Sequence, residues 1–166
     1  GTKDLGYGAT ESGEDFRKRH EISVRAPPGV TTPDPMMAFD AGPWPKPLLD
    51  AVKRAGYSEP TAIQAQSWPI ALQGYDMISV AKTGSGKTVG FLLPAIERLA
   101  RSGRPRRGEV SCLVVSPTRE LACQIELEVA KYAASSELKH TCVYGGVPKG
   151  PQVKALRSGR SEICVA

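Results

Sequence analysis

Residues 81–88, Ala-Lys-Thr-Gly-Ser-Gly-Lys-Thr, constrain the fold of this chain more than any other segment. A short apolar run at residues 77–80 leads into them, and apolar residues at helical spacing follow them. Those residues are Val89, Leu92, Leu93, Ile96 and Leu99. Strand, glycine-rich turn, Gly-Lys-Thr and helix is the order of a phosphate-binding loop. A glycine turn with a solvated lysine is the alternative, but it would not explain the strand and helix patterns on either side.

Each residue type in the loop has a physical role in binding a nucleoside triphosphate. Gly84 and Gly86 lack a Cβ, so that backbone N–H groups can close around phosphate oxygens at the start of a helix. Lys87 supplies a charge for the β- and γ-phosphates, and Thr88 offers a hydroxyl to Mg²⁺. Ala81 stands where the usual pattern has Gly, which disfavours a small-molecule kinase or a GTPase. The predicted nucleotide-binding residues here are Thr83, Gly84, Ser85, Gly86, Lys87 and Thr88, and the predicted catalytic residues are Lys87 and Thr88.

Apolar runs at residues 77–81, 110–115, 141–144 and 162–166 alternate with helical patterns after the loop. The helices are expected at about residues 86–100, around Leu121, Ile125 and Val129, and at about residues 149–157. This alternation predicts right-handed βαβ units and a parallel sheet covered by helices, with ligands at the carboxyl ends of the strands.

Two further helices are predicted upstream of the loop. One covers residues 46–55 and stops at Gly56. The other is capped by Thr61 with Gln64 three residues on, and Pro69 is expected to end or restart it. Residues 1–38 are rich in Gly, Pro and charge, which predicts an extended or disordered lead-in with a short helix inside residues 14–25.

Composition narrows the function only modestly. A formal net charge of +5 is compatible with a polyanionic partner without requiring one. The four cysteines form no CxxC pair and do not cluster with the two histidines, so buried reduced thiols are expected and no protein metal site is predicted. No apolar run approaches a membrane span, so no membrane partner is expected. Together with the unpaired cysteines and the lack of a signal-peptide pattern, this predicts a reducing compartment, nucleus or cytoplasm. The basic residues 101–107 are expected to form a solvated surface loop, with a secondary contact to phosphate backbones left open.

Four segments together resemble one family. Residues 81–88 match its phosphate loop with Ala first; residues 56–64 resemble its Q motif, with Phe39 as the aromatic residue 17 positions upstream of Gly56. Residues 117–122, Pro-Thr-Arg-Glu-Leu-Ala, and the Gly145-Gly146 pair match two more motifs. Over residues 15–166 the chain resembles the N-terminal part of a DEAD-box ATP-dependent RNA helicase of the p68-like subfamily. Tyr57 and Ala62 stand where that family usually has Phe and Pro.

The resemblance implies a RecA-like P-loop NTPase domain with a parallel sheet and flanking helices, in residues 39–166, with the Q motif at 39–64. It implies that Gln64 and Phe39 hold adenine. It also implies that one RNA strand is gripped by its backbone, independently of sequence, through Pro117, Thr118, Arg119, Gly145 and Gly146. Three alternatives remain open: Gln64 only caps a helix, Phe39 is ordinary core, or Arg119 pairs with Glu120 or Glu126.

The implied activity is unwinding of short RNA duplexes by an RNA-dependent ATPase that uses ATP and Mg²⁺, with protein cofactors as further partners. No Asp-Glu-Ala-Asp run and no motif of a second RecA-like domain occur in the chain. We therefore expect an incomplete domain, truncated before the acidic motif, that is inactive alone and folds poorly with exposed sheet edges. A nucleotide- and RNA-binding module without turnover, or part of an unrelated P-loop motor, are the alternatives.

Overall fold

The computed structural model describes residues 11–103, 106, 108–158 and 161–166. It has helices α1 (Gly13–Arg19), α2 (Lys46–Arg54), α3 (Ala62–Leu72), α4 (Lys87–Ser102), α5 (Arg119–Ala133) and α6 (Lys149–Ser158), and strands β1 (Cys112–Val114), β2 (His140–Cys142) and β3 (Ile163–Val165). Single 3₁₀ turns lie at Phe39–Ala41 and Ala134–Ser136. The chain divides into two compact units. The first unit comprises the described residues up to Trp44 and Gly56–Pro94, and the second comprises Pro45–Ala55 and the described residues from Ala95 onward.

The second unit is built on a parallel sheet in the order β1-β3-β2. Ile163 of the central strand pairs in register with Cys112 on one side and with His140 on the other. All three residues of β3 are buried, as expected for a central parallel strand with both faces covered. Helix α5 packs on β2 and β3 through a buried stripe that includes Ile125 and Val129, and α2 packs on α5. The predicted α/β fold with a parallel sheet and flanking helices is therefore confirmed.

The strand predicted at residues 77–81 does not form. This segment has no regular structure, and the side chains of Ile78 and Val80 are 95% and 89% exposed. A strand exists only when a neighbouring backbone supplies ladder hydrogen bonds. In the part of the chain that the structure describes, no backbone–backbone hydrogen bond joins these residues to a neighbour. Strand composition alone was therefore an insufficient criterion.

Pro69 neither ends nor restarts the second upstream helix, because α3 continues through it to Leu72. A proline has no N–H, so the carbonyl four residues earlier, that of Ala65, loses its helical partner. The Met36 N–H donates to this carbonyl at 2.9 Å. The prediction was wrong because a residue distant in sequence supplies the missing donor.

The predicted lead-in, residues 1–38, is largely without regular structure where it is described, but it contributes to the core of the first unit. Phe16 of α1 and Met36 are buried. Arg17 Nη1 donates to Gln66 Oε1 at 3.2 Å, and Gln66 Nε2 donates to the Pro33 carbonyl at 3.0 Å. Arg17, Pro33 and Met36 therefore connect this segment to α3, which composition did not predict. Residues 1–10 lie outside the described ranges. No helix within those ranges is both long and apolar enough to cross a bilayer.

Candidate functional site

Residues 81–88 form a tight loop that ends at the first turn of α4. Gly84 and Gly86 have φ values of +75° and +81°, a region in which glycine avoids the strain that a Cβ causes. Lys87 Nζ donates to the Lys82 carbonyl at 2.7 Å and also to the Ala81 carbonyl. The ammonium group is thus held across the loop by its own backbone. A helix N-terminus next to a flexible cation is a suitable site for phosphate.

The first turn of α3 is hydrogen-bonded to this loop. Gln64, which is fully buried, accepts from the Thr61 N–H at 3.1 Å through Oε1 and donates to the Gly86 carbonyl at 3.1 Å through Nε2. Thr61 Oγ1 donates to the Ser85 carbonyl at 2.8 Å. A Cβ at Gly86 would lie only 2.3 Å from Gln64 Nε2. Two features therefore favour glycine at residue 86, its positive φ and this close approach to a buried amide.

These contacts bear on the two roles considered for Gln64. Its Oε1 bonds the N-cap backbone of α3, so the capping role is present. One N–H of its amide remains after the bond to Gly86, since a side-chain amide carries two. The adenine contact stays a prediction. The bonds to Ser85 and Gly86 were missed, because nothing in the local sequence connects a helix cap to a loop more than 20 residues later.

Phe39 lies in an aromatic cluster of the first unit. Its side chain is 6% exposed, and its ring centroid lies 5.5 Å from that of Trp68 and 6.3 Å from that of Tyr57. Trp44 meets Trp68 edge-on at 5.2 Å. Such aromatic packing stabilises a core. The arrangement favours the core role for Phe39, and stacking on adenine stays a prediction.

The second unit presents the predicted nucleic-acid residues around the start of α5. Thr118 is the N-cap of α5, and its Oγ1 accepts from the Leu121 N–H at 3.2 Å. Ser116 Oγ, on the other side of Pro117, donates to the Thr118 carbonyl at 2.9 Å. The exposed Arg119 places its guanidinium carbon 4.5 Å from the centroid of the Tyr144 ring, a cation–π geometry.

The ion pairs proposed as an alternative role for Arg119 do not form. Among the residues with described positions, neither Glu120 nor Glu126 pairs with it, and Glu126 Oε1 instead lies 3.6 Å from His140 Nε2. An aromatic ring therefore orients Arg119 in place of a carboxylate, which leaves the outer face of the guanidinium without an acidic partner in the described part of the chain.

The predicted Gly145-Gly146 element follows β2 on the surface. Gly146 has a φ of +82°, and a Cβ built at either glycine would meet no atom within 4 Å. The Gln152 side chain of α6 bonds both the N–H and the carbonyl of Tyr144, at 2.9 and 3.1 Å. The backbone of the two glycines is thus open to solvent next to an anchored residue. Within this unit, the structure brings Arg119 and the segment before Gly145 together, as the carboxyl ends of parallel strands require.

The cysteines behave as buried or half-buried free thiols. Burial raises the pKa of Cys112 and of Cys164, and burial with the nearby Glu126 carboxylate raises the pKa of Cys142 to about 11. No group of three or more potential metal ligands occurs within the described ranges. Of the basic segment 101–107, residues 104, 105 and 107 lie outside those ranges, so its contact with phosphate backbones stays a prediction.

Comparison with known proteins identifies DEAD-box helicases as similar proteins. The family model described as DEAD/DEAH box helicase matches residues 61–166. The chain is similar to DEAD-box ATP-dependent RNA helicase 14 of Arabidopsis thaliana, 50% identical over 155 residues, with 93% of this chain and 24% of the relative covered. It is 47% identical to ATP-dependent RNA helicase DBP2 of Lodderomyces elongisporus over 154 residues, covering 92% of this chain and 27% of the relative. It thus spans about a quarter of the length of these relatives.

Among solved structures, the RNA helicase Prp28 from Chaetomium thermophilum bound to ADP superimposes with a TM-score of 0.81 and 41% sequence identity. That match covers 93% of this chain and 37% of the other. A DEAD box protein from the hyperthermophile Methanococcus jannaschii superimposes with a TM-score of 0.68 and 34% identity, covering 78% of this chain and 34% of the other.

Proposed function

The chain belongs to the DEAD/DEAH box helicase family, and from that premise we propose that its gene product is an ATP-dependent RNA helicase that unwinds short duplexes locally. The observation that carries the proposal is the hydrogen-bonded connection from Thr61 and Gln64 to the carbonyls of Ser85 and Gly86. It joins the segment predicted to hold the base to the segment predicted to hold the phosphates, within the first unit. An unrelated P-loop motor would need the phosphate loop but not this buried amide beside it.

The residues of the loop fit a triphosphate with its Mg²⁺. Gly84 and Gly86 adopt positive φ without strain and bring no Cβ into the turn. Ser85 Oγ is buried with no hydrogen-bond partner among the described residues, so a polar group is available inside the loop. Lys87 would exchange the loop carbonyls for phosphate oxygens, and Thr88 would hold Mg²⁺ through its hydroxyl. When bound, Mg²⁺ would neutralise part of the negative charge on the β- and γ-phosphates.

The second unit is proposed to hold one RNA strand by its phosphodiester backbone. Arg119 offers a guanidinium without an acidic partner in the described ranges, and α5 offers the N–H groups of its first turn beside Thr118. The open backbone at Gly145 and Gly146 allows close approach. Groups of this kind contact phosphate and sugar but not base edges, so binding should be independent of sequence.

A second candidate is a nucleotide- and RNA-binding module without turnover. It concerns the 166-residue chain taken by itself, whose sequence has no Asp-Glu-Ala-Asp run, and the family match does not favour it over the helicase. Both candidates require ATP and RNA binding; only the helicase requires hydrolysis.

The test measures RNA-stimulated ATP hydrolysis and duplex unwinding by the complete gene product, with the 166-residue chain beside it. The helicase proposal expects turnover that rises with added RNA, preference for ATP over GTP, and loss of that preference in Gln64→Ala. Equal use of ATP and GTP, unaltered by Gln64→Ala, would favour an unrelated P-loop motor. If the complete gene product binds ATP and RNA without hydrolysing ATP, the helicase proposal is rejected and the binding-module proposal is supported.

The proposal extends to location and partners. The described cysteines are free thiols, which supports a reducing compartment, nucleus or cytoplasm. Fluorescence of a tagged gene product would test this, and secretion into an oxidising compartment would contradict it. Protein cofactors remain proposed as further partners.

A further inference from the structure

Tyr144 is held by an unusual pair of hydrogen bonds where β2 gives way to the glycine pair. The last paired residue of β2 is Cys142, opposite Val165, and the Val143 N–H makes one more ladder bond to the Val165 carbonyl at 2.8 Å. The next residue, Tyr144, is hydrogen-bonded to the Gln152 side chain instead of to a strand. Gln152 Oε1 accepts from the Tyr144 N–H at 2.9 Å, and Gln152 Nε2 donates to the Tyr144 carbonyl at 3.1 Å. A side-chain amide has the donor and acceptor that a neighbouring strand would otherwise supply.

The ring of Tyr144 is in turn the contact that orients Arg119. The guanidinium carbon lies 4.5 Å from the ring centroid, and no carboxylate pairs with Arg119 anywhere in the described ranges. An exposed arginine without such a contact samples many rotamers, and ordering it on binding costs free energy. A ring that holds the guanidinium in place before phosphate arrives reduces that cost.

We infer that Gln152 is a positioning residue for the proposed RNA-binding site. By anchoring the Tyr144 backbone, it places the Tyr144 ring against Arg119 and fixes the position at which the Gly145-Gly146 backbone begins. The ligand that benefits is a phosphodiester backbone, and the inference rests on the proposed RNA binding. Gln152 itself is half-buried on α6, and its amide is engaged with Tyr144 and, at 3.4 Å, the Pro148 carbonyl. It is therefore assigned no direct contact with RNA.

The test uses the complete gene product with a fluorescein-labelled single-stranded RNA of mixed sequence, followed by anisotropy over a series of salt concentrations. Gln152→Ala should weaken RNA binding by roughly three- to tenfold, the scale of one exposed cation–π contact plus the freed arginine. The slope of log affinity against log salt should fall by up to about one, because one phosphate contact loses its alignment. Affinity for a fluorescent ATP analogue should not change. The matched control is Val153→Ala, the next residue of α6, whose side chain is exposed.

A second pair of variants keeps the test decisive if Gln152→Ala does not fold. Tyr144→Leu removes the ring and should reproduce the loss of RNA affinity, whereas Tyr144→Phe keeps the ring and should retain wild-type affinity. Equal RNA affinity of the two Tyr144 variants would overturn the inference.

The outcomes separate this inference from the proposed function. If wild type binds RNA and Arg119→Ala weakens it, but Gln152→Ala matches Val153→Ala in affinity and salt slope, the positioning role is wrong and the proposed function stands. A parallel loss of ATP-analogue affinity in Gln152→Ala would indicate a general structural role and also overturn the inference. If wild type does not bind RNA, the proposed function itself fails.

Discussion

Gly86 and Gly84 offer a matched pair of substitutions that isolates the connection between α3 and the phosphate loop. Both glycines have similar positive φ values, +81° and +75°. A Cβ at Gly84 meets no atom within 4 Å, whereas a Cβ at Gly86 would lie 2.3 Å from Gln64 Nε2. Alanine at either position therefore introduces the same backbone strain, and only at position 86 does it displace the buried amide.

The expected magnitudes follow from these two terms. A non-glycine residue in the left-handed region costs about 1–2 kcal/mol, which both variants lose from the free energy of unfolding. Gly86→Ala also breaks the 3.1 Å bond from Gln64 to the Gly86 carbonyl. Leaving a fully buried amide unpaired adds roughly 1–3 kcal/mol. We therefore expect Gly86→Ala to lose about 2–5 kcal/mol and Gly84→Ala about 1–2 kcal/mol.

Urea unfolding of the chain without nucleotide, followed by tryptophan fluorescence at low protein concentration, measures this difference. Both tryptophans of the chain, Trp44 and Trp68, are buried in the first unit, and Trp68 lies on the same helix as Gln64. The signal therefore reports the unit in which the substitutions lie. The absence of nucleotide separates folding stability from any effect on ligand binding.

A double-mutant cycle completes the experiment. In a Gln64→Ala background the amide is gone and only the 3.2 Å approach to Thr61 Oγ1 remains, so most of the extra cost of Gly86→Ala over Gly84→Ala should disappear. Equal losses for the two glycine variants in the wild-type background, or an unchanged penalty at position 86 after Gln64→Ala, would refute the proposed contact between the amide and the loop.

Three further predictions concern the loop, the exposed segment before it and one thiol. Lys87→Ala should lower the affinity for a fluorescent ATP analogue at least about tenfold, since it removes the ammonium group predicted to contact the β- and γ-phosphates. Undiminished binding in equilibrium titration would contradict this role. Replacing the almost fully exposed Ile78 and Val80 by Ser should reduce self-association of the chain at high concentration, because both are apolar side chains open to solvent; an unchanged sedimentation profile would count against this. Cys142, with its pKa raised to about 11, should be alkylated slowly at pH 7.5 and about tenfold faster per pH unit up to that value, and a pH-independent rate between pH 7.5 and 9.5 in peptide mass spectrometry would show that the thiol is not so perturbed.

Local sequence patterns predicted several of the helices and the parallel sheet correctly. Helical spacing of apolar residues predicted α4 and α5, and the alternation of strands with helices predicted α6 and a parallel sheet. Each of these signals arises from residues within one or two turns of each other, or from a periodicity that any parallel sheet imposes. The same is true of the glycines at positions 84 and 86, whose positive φ is a property of the turn itself.

The errors and omissions share a different cause. Residues 77–81 have strand composition but no strand, because strand formation depends on a backbone partner that composition does not specify. Pro69 deprives the Ala65 carbonyl of its helical donor, and Met36, which is distant in sequence, supplies another. The packing of Tyr57 and Trp68 against Phe39 in the first unit likewise joins residues that are distant in sequence, and stacking of Phe39 on adenine stays a prediction.

The amino-acid sequence by itself determined which chemical groups are present and which of them share a turn, a cap or a helix face. Tertiary structure alone decided which distant groups satisfy one another: the Gln64 amide with the Gly86 carbonyl, the Gln152 amide with the Tyr144 backbone, and the Tyr144 ring with Arg119. The reason is physical. Leaving a polar group unpaired on burial costs free energy, and which partner comes within reach depends on how the chain returns on itself.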